Sequence, residues 1–390
     1  MAFLNSIRRF KNVANIRRLQ SLVDVKGEKN IQSRNLKVFL ADQLKPKIKV
    51  KDLPFGKVMT DHMLQIEWDK EHGWGTPVIK PHEVFQLHPA AGVLQYGGQI
   101  YEGMKGFYGV DKKIRVFRPS CNVARFNISA RRMALPTFNE NELLRCILEL
   151  VEIEKDWVPK EDGCSLYIRP SLISLDTVSA DQDINKALLF VILSPVGSYF
   201  KGDSMQPVSL LAEPSYVRAW PGGLGECKAG GNYGSTVFLQ KEAEKKGYNQ
   251  ILWLFNDEVT EAGTMNIFMH WENENGEEEL ITAPLDGLIL RGITRKSFLE
   301  LARKWDEFLV SERTFTMKDV VKALKENRIK GIFAAGTACV VCPIGKILYK
   351  NQLLEIPCTE SDGMLAPRFY KSLLDIQYGR TPHEWAPIIC

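Results

Sequence analysis

The chain has 390 residues, of which 45% are hydrophobic and 25% charged, with a formal net charge of +4. That is the profile of a globular protein with room for two or three cores, and the small charge excludes an electrostatic case for nucleic acid or a membrane surface. No apolar run is long enough to span a bilayer, the eight scattered cysteines lack the density of a disulfide scaffold, and no secretory signal precedes them. A reducing intracellular compartment is expected, and no His/Cys spacing reads as a metal site.

The first twenty residues carry Arg8, Arg9, Lys11, Arg17 and Arg18 and no acid, with Phe3, Leu4, Ile7, Phe10, Val13 and Ala14 at helical spacing. Residues 1–25 read as a mitochondrial transit peptide, which implies the matrix; a frayed basic terminus on a cytoplasmic protein is the alternative. Residues 26–50 are polar and Lys-rich and read as a linker or arm. Alternation at 63–68 and 114–117 predicts strands. Residues 122–134, carrying Arg125, have helical spacing. Leu143, Leu144, Ile147, Leu150 and Val151 predict a helix over about 140–156, capped by Asn139. Residues 165–170 and the apolar run 187–193 predict strands, the second deep in a sheet.

Turn residues at 196–206 mark the expected boundary between a small domain (51–195) and a large one (207–390). In the second half a helix over about 235–246 stops at Gly247. Strands are expected at 250–255, 267–271 and 279–283, and a helix over about 294–304. The alternation of strands and helices gives a mixed α/β class, with no internal repeat.

The chemistry centres on Lys228-Ala-Gly-Gly-Asn-Tyr233-Gly and Glu261-Ala-Gly-Thr264-Met265-Asn. A lysine forms Schiff bases with aldehydes, a tyrosine five residues on can hydrogen-bond a phenolate oxygen, and a carboxylate can keep a pyridine nitrogen protonated. That combination suits pyridoxal 5'-phosphate bound through Lys228. Glu261 is expected in a turn between two strands. Gly292-Ile293-Thr294 opens a helix whose free N–H groups suit a phosphate. Gly336-Thr337-Ala338 is a second small-residue turn, and Arg125 adds charge. Taken singly, Lys228 reads better as one of many solvated lysines, and a turn acid, an ordinary N-cap, an ordinary turn and a surface arginine are alternatives for the others; their combination favours the cofactor.

These motifs, with Pro284-Leu-Asp-Gly, Tyr101-Glu-Gly-Met-Lys105, Tyr167-Ile-Arg169-Pro, Gly336-Thr-Ala-Cys-Val-Val-Cys342-Pro and Asp375-Ile-Gln-Tyr-Gly379, make residues 50–385 resemble the branched-chain amino acid aminotransferases, most closely the eukaryotic, mitochondrial form. The resemblance implies the fold of the fold-type IV pyridoxal phosphate enzymes, with a smaller α/β domain, a larger domain with a barrel-like sheet, and a homodimer. It implies that Lys228 holds the cofactor and later moves a proton, that Tyr233 and Glu261 bond its ring, that Arg125, Ile293, Thr294 and Thr337 hold its phosphate, and that Leu290 packs on it. It places Phe55, Tyr101, Tyr167, Tyr199, Thr264, Met265 and Ala338 around the substrate, with Tyr96 and Val178 reaching in from the partner subunit. Arg169 and the tyrosine hydroxyls become candidates for glutamate's second carboxylate. The implied substrates are L-leucine, L-isoleucine or L-valine with 2-oxoglutarate. Rival functions are a D-amino acid transaminase, an aminodeoxychorismate lyase, or a dead enzyme serving as a thiol switch or scaffold. Cys339 and Cys342 form a C-x-x-C pair, readable either as a redox switch or as two buried thiols. Arg291 stands where many relatives carry proline.

Overall fold

The structure, a computed structural model, describes residues 30–49, 53, 56–177, 184–198, 205–358 and 364–390. The expected transit peptide, Phe55, Val178 and Tyr199 lie outside the described residues.

Among the described residues the strands form two sheets, divided between the two halves of the chain. The first contains β1 (Lys37–Val38), β2 (His62–Asp69), β3 (Gly73–Trp74), β4 (Val78–Pro81), β5 (Gln99–Tyr101), β6 (Met104–Tyr108), β7 (Ile114–Val116), β8 (Ser165–Ser174) and β9 (Lys186–Val196). It is open, with the main order β1-β4-β2-β9-β8-β6-β7, and β5 lies beside β8. A short helix α1 (Gly92–Tyr96) precedes β5. Helices α2 (Pro119–Arg132) and α3 (Glu140–Ile153) link β7 to β8. Asn139 caps α3 as expected, accepting from the N–H groups of Asn141 and Glu142. The helix ends at Ile153, earlier than expected, and continues as a 3-10 turn to Trp157.

Alternation along β8 sorts its side chains. Leu166, Ile168 and Leu172 join Phe126, Leu143 and Ile147 of α2 and α3 in one apolar cluster. Ser165, Tyr167, Arg169 and Ser171 take the other face. Lys105 lies directly opposite Tyr167, and Tyr101 opposite Ser171. One row of aromatic and cationic groups therefore crosses the sheet on the side away from the helices.

The segment expected as a linker is docked over its described part, 30–49. Ile31 is fully buried, Ser33 donates through its N–H and hydroxyl to Glu142 at 2.7 and 2.6 Å, β1 runs parallel to β4, and the Lys45 N–H bonds Asp61 at 2.8 Å. Periodicity could not reveal this, because two separate apolar residues, Ile31 and Leu36, polar bonds and backbone pairing provide the attachment.

The second sheet contains β10 (Val208–Ala212), β11 (Gln250–Phe255), β12 (Glu258–Ala262), β13 (Met265–Glu272), β14 (Glu278–Thr282), β15 (Leu309–Glu312), β16 (Ile329–Gly336), β17 (Val340–Tyr349) and β18 (Gln352–Glu355). The order β12-β11-β10-β17-β16-β13 closes on itself because β12 also pairs with β13, giving a six-strand barrel. Its helices are the turn α4 (Gly231–Gly234), α5 (Val237–Lys245), α6 (Ile293–Trp305), α7 (Met317–Lys325) and α8 (Leu365–Gln377). Phe268 and Phe333 stack at 5.4 Å, and Phe298 of α6 on Phe369 of α8 at 4.4 Å. These rings join Phe107 and Phe117 of the first unit in one cluster, so the two halves share a core. Two segments cross between them. The backbone at Lys228 pairs with β5, and residues 385–390, expected within the large domain, return to bond along β7.

Candidate active site

Lys228 lies where the long loop after β10 meets the first sheet. Its N–H donates to Ser129 Oγ of α2 at 3.0 Å, its carbonyl accepts from Tyr101 N at 3.0 Å, and Ala229 bridges to Ile100. Both halves of the chain therefore clamp the lysine backbone. Its Nζ donates to the Tyr233 hydroxyl at 3.1 Å, a pair that the i, i+5 spacing and the turn α4 bring together. The Tyr101 ring completes the group, 4.7 Å from Nζ and 5.1 Å from the Tyr233 ring. Burial, with Tyr233 beside it, pushes the Tyr101 phenol well above its ordinary value.

Glu261 lies in strand β12, where a turn was expected; the turn begins at Gly263, and Thr264 is exposed on it. The Glu261 side chain is 2% exposed. Oε2 pairs with Arg218 Nε at 3.0 Å, while Oε1 accepts from Leu290 N at 3.0 Å and Asn266 Nδ2 at 2.9 Å. Burial raises its pKa; Arg218, the Leu290 N–H, Lys228 and Arg125 pull the other way. A protonated ring nitrogen placed against this carboxyl would favour its charged form. Leu290 is buried and contributes backbone contacts on both sides, since its carbonyl accepts from Asn266 Nδ2 at 2.9 Å.

Helix α6 begins at Ile293 after Gly292, and no side chain caps it. A Cβ on Gly292 would stand 1.9 Å from Asn266 Oδ1, so only glycine fits this approach. The first-turn N–H groups, those of Ile293 and Thr294 among them, have no partner within the helix, the requirement for an anion. Arg125 of α2 comes to the same end of α6, donating to the Arg291 carbonyl at 3.0 Å. Glu102 holds it in a fork at 2.7 and 2.8 Å. Burial would raise Glu102, but Arg125, Lys228 and Asn122 together lower it below its ordinary value. Arg291 points elsewhere, to Glu226 at 2.7 Å. Thr337 and Ala338 are half-buried in the turn between β16 and β17.

An amine beside a phenol, a buried carboxyl and an uncapped helix N-terminus with an arginine make a donor set that fits pyridoxal phosphate. On the row facing it, Arg169 Nη2 donates to the Tyr167 hydroxyl at 3.1 Å and the guanidinium lies 4.7 Å from the Tyr101 ring centre. Arg169 Nε is buried without a partner among the described residues. A Cβ on Gly103 would meet the Tyr167 hydroxyl at 2.0 Å, so the missing side chain gives that phenol its place. Met265 is buried beside Cys339, with their sulfurs 3.2 Å apart. Tyr96 stands apart, 63% exposed on α1.

Burial pushes Cys339 up to about 12, with Cys342 adding to the rise, and Cys342 up to about 11. Both thiols are protonated at neutral pH and closed to solvent.

Spacing alone did not point to Arg218, Glu102, Asn266 or Ser129. Arg218 precedes Lys228 by ten residues in the same Gly- and Pro-rich loop, which was its one available signal. Lys105 was also passed over. It is buried, it donates to the Ala338 carbonyl at 2.8 Å, and no carboxylate pairs with it among the described residues. Burial lowers it from 10.5 to about 8, against weaker opposing effects of Cys339 and Cys164. Between about pH 8 and 10.5 the unfolded chain binds this proton and the folded chain does not, so stability rises with pH there. The full penalty, about 3 kcal/mol, applies below pH 8. Lys105→Met, after loss of a hydrogen bond of about 1 kcal/mol, is expected to stabilise the protein by about 2 kcal/mol at pH 7. That gain should vanish by pH 10.5. Denaturant midpoints across this range check it, and a pH-independent difference would contradict the burial argument.

A family model described as amino-transferase class IV matches residues 99–347. The mitochondrial branched-chain-amino-acid aminotransferase of Rattus norvegicus is 54% identical over 335 residues, 85% of each chain. The cytosolic branched-chain-amino-acid aminotransferase of Mus musculus is 51% identical over 356 residues, 91% of this chain and 92% of that one. Branched-chain aminotransferase from Thermoproteus uzoniensis, solved with norvaline, overlays with a TM-score of 0.67 at 22% identity, covering 84% of this chain and 100% of that one. The Escherichia coli branched-chain amino acid aminotransferase does so at 0.66 and 20%, over 85% and 99%. These two structures speak for the fold, an open sheet beside a closed six-strand barrel. The family model and the close relatives carry the assignment: the chain belongs to the class IV aminotransferases and, within them, to the eukaryotic branched-chain-amino-acid aminotransferases.

Proposed function

We propose that the protein moves the amino group of L-leucine, L-isoleucine or L-valine to 2-oxoglutarate, with pyridoxal 5'-phosphate at Lys228. The observation that carries this is the Lys228–Tyr233 pair at 3.1 Å on a backbone clamped by both halves of the chain. When bound, the cofactor supplies an electron sink for the carbon that loses its proton. Lys228 supplies the amine that holds the cofactor and then carries that proton. Tyr233 bonds the ring oxygen, Glu261 faces the ring nitrogen, and Leu290 packs on the ring. Arg125, Ile293, Thr294 and Thr337 hold the phosphate.

Tyr101, Tyr167, Met265, Thr264 and Ala338 bound the substrate, and the family resemblance assigns Phe55 and Tyr199 to the same pocket. Apolar burial favours the branched side chains by about 1.5–3 kcal/mol each. The unpartnered Arg169 Nε meets the second carboxylate of glutamate. Tyr96, exposed as are Leu94 and Val84, fits a homodimer in which it and Val178 reach the neighbouring site; a monomeric mass in sedimentation would remove that part. Residues 1–25 direct the chain to the mitochondrial matrix, which microscopy of a fusion to this segment checks. A Cys339–Cys342 switch requires the 337–339 turn to open, because both thiols are closed in.

Steady-state kinetics with 2-oxoglutarate test the assignment. Parallel double-reciprocal lines with the three L-amino acids are expected for a ping-pong route; turnover of D-amino acids alone would overturn it.

A further inference from the structure

Arg118 is the residue before α2, and its backbone is in the left-handed region at φ 44°. A non-glycine residue is held there only when its surroundings over-determine it, and such positions gather at functional sites. Arg118 is 8% exposed. Its Nη1 donates to Ser297 Oγ at 3.1 Å and Glu300 Oε2 at 2.8 Å, and its Nη2 to Glu300 Oε1 at 3.1 Å. The guanidinium lies 4.2 Å from the centre of the Trp385 ring, and the Arg118 N–H donates to the Trp385 carbonyl at 2.6 Å. Ser297 in turn donates to the carbonyl of Ile293, the first residue of α6, at 2.8 Å.

Arg118 and Arg125 are seven residues apart on one helix, about 10 Å along its axis. Their partners at and along α6 match that interval. Arg125 reaches Arg291, just before α6, and Arg118 reaches Ser297 and Glu300, six and nine residues further on, about 9–14 Å along α6. The helices therefore run antiparallel, joined at two points by arginines of equal spacing, and this joint crosses the boundary between the two halves of the chain. The buried face of α6 packs it on the barrel side, with Phe298 on Phe369; Arg118 adds to Arg125 a second polar tie that sets its place against α2.

We propose that Arg118 is a positioning residue for the cofactor phosphate: it fixes α6 against α2 so that Arg125 and the N–H groups of Ile293 and Thr294 converge on one anion. This rests on the reading of Arg125 and the α6 N-terminus as phosphate ligands. The effect falls chiefly on the phosphate, since Lys228 and Tyr233 bond each other, and Glu261 keeps Arg218 and Asn266 besides Leu290, which stands ahead of α6.

The test titrates the cofactor-free protein with pyridoxal 5'-phosphate and with pyridoxal, which lacks the phosphate, following binding by tryptophan fluorescence. Arg118→Gly removes the side chain and tolerates the positive φ. It is expected to weaken pyridoxal phosphate about tenfold and pyridoxal less than twofold. Glu300→Gln keeps the arginine and should show a smaller loss of the same selectivity; it carries the test if the glycine variant does not fold. Equal weakening of both ligands, or of neither, in these variants overturns the proposal. Arg125→Met separates the two levels: if it too leaves the preference for the phosphate unchanged, the phosphate reading itself fails, whereas a preference lost only in that variant sinks Arg118 alone.

Discussion

Lys228→Ala is expected to abolish covalent attachment of the cofactor and to lower transamination by at least about 10³-fold, because in the proposed function it removes both the attaching amine and the group that moves the proton. The fold should survive. The backbone contacts of Lys228 to Ser129 and Tyr101 do not involve its side chain, and among the described residues the amine makes a single hydrogen bond, to Tyr233. Stability should change by no more than about 1 kcal/mol. Borohydride reduction of the loaded protein, followed by mass measurement of the peptide around residue 228, reads the attachment directly. Lys228→Arg is the control for charge, since a guanidinium keeps the cation and does not form the Schiff base. Turnover that persists in either variant would refute the role given to Lys228.

The site was legible in the sequence where chemistry is local. Lys228 and Tyr233 are five residues apart and one short turn brings them together. Gly292-Ile293-Thr294 opens a helix in the structure as its composition suggests. Legibility failed where a partner is distant. Glu102 lies 23 residues from Arg125 and Arg218 lies 43 from Glu261, so neither the fork nor the buried pair leaves a periodic trace. Glycine close behind Glu261 suggests a turn, whereas strand pairing of β12 with both neighbours carries it into the barrel wall. The same reason explains the arm at 30–49. Its attachment is backbone pairing, one buried isoleucine and polar bonds to residues such as Glu142 and Asp61. A closed barrel is likewise a statement about the β12–β13 contact, and hydrophobic patterning marks strands without saying which of them meet.

Glu261→Gln is expected to lower kcat by about 10²–10³ while leaving the cofactor attached at Lys228. The cofactor ring acts as an electron sink only while its nitrogen is protonated, and an amide does not hold that proton as a carboxylate does. The substitution also acts on the fold. The amide oxygen can still accept from Leu290 N and Asn266 Nδ2, but that places its NH₂ group against Arg218 Nε, donor facing donor. Arg218 keeps its bonds to the Leu288 and Gly225 carbonyls and loses its counter-charge in a buried place, a change of about 3 kcal/mol. Arg218→Met separates the two consequences, since it strands the carboxyl without changing the group that faces the ring. If Glu261 acts through charge at the ring nitrogen, the glutamine variant should lose far more kcat than the methionine variant for a similar fall in denaturant midpoint. Parallel losses in the two variants would mean that the buried pair serves the barrel wall and that the ring nitrogen is held by another group.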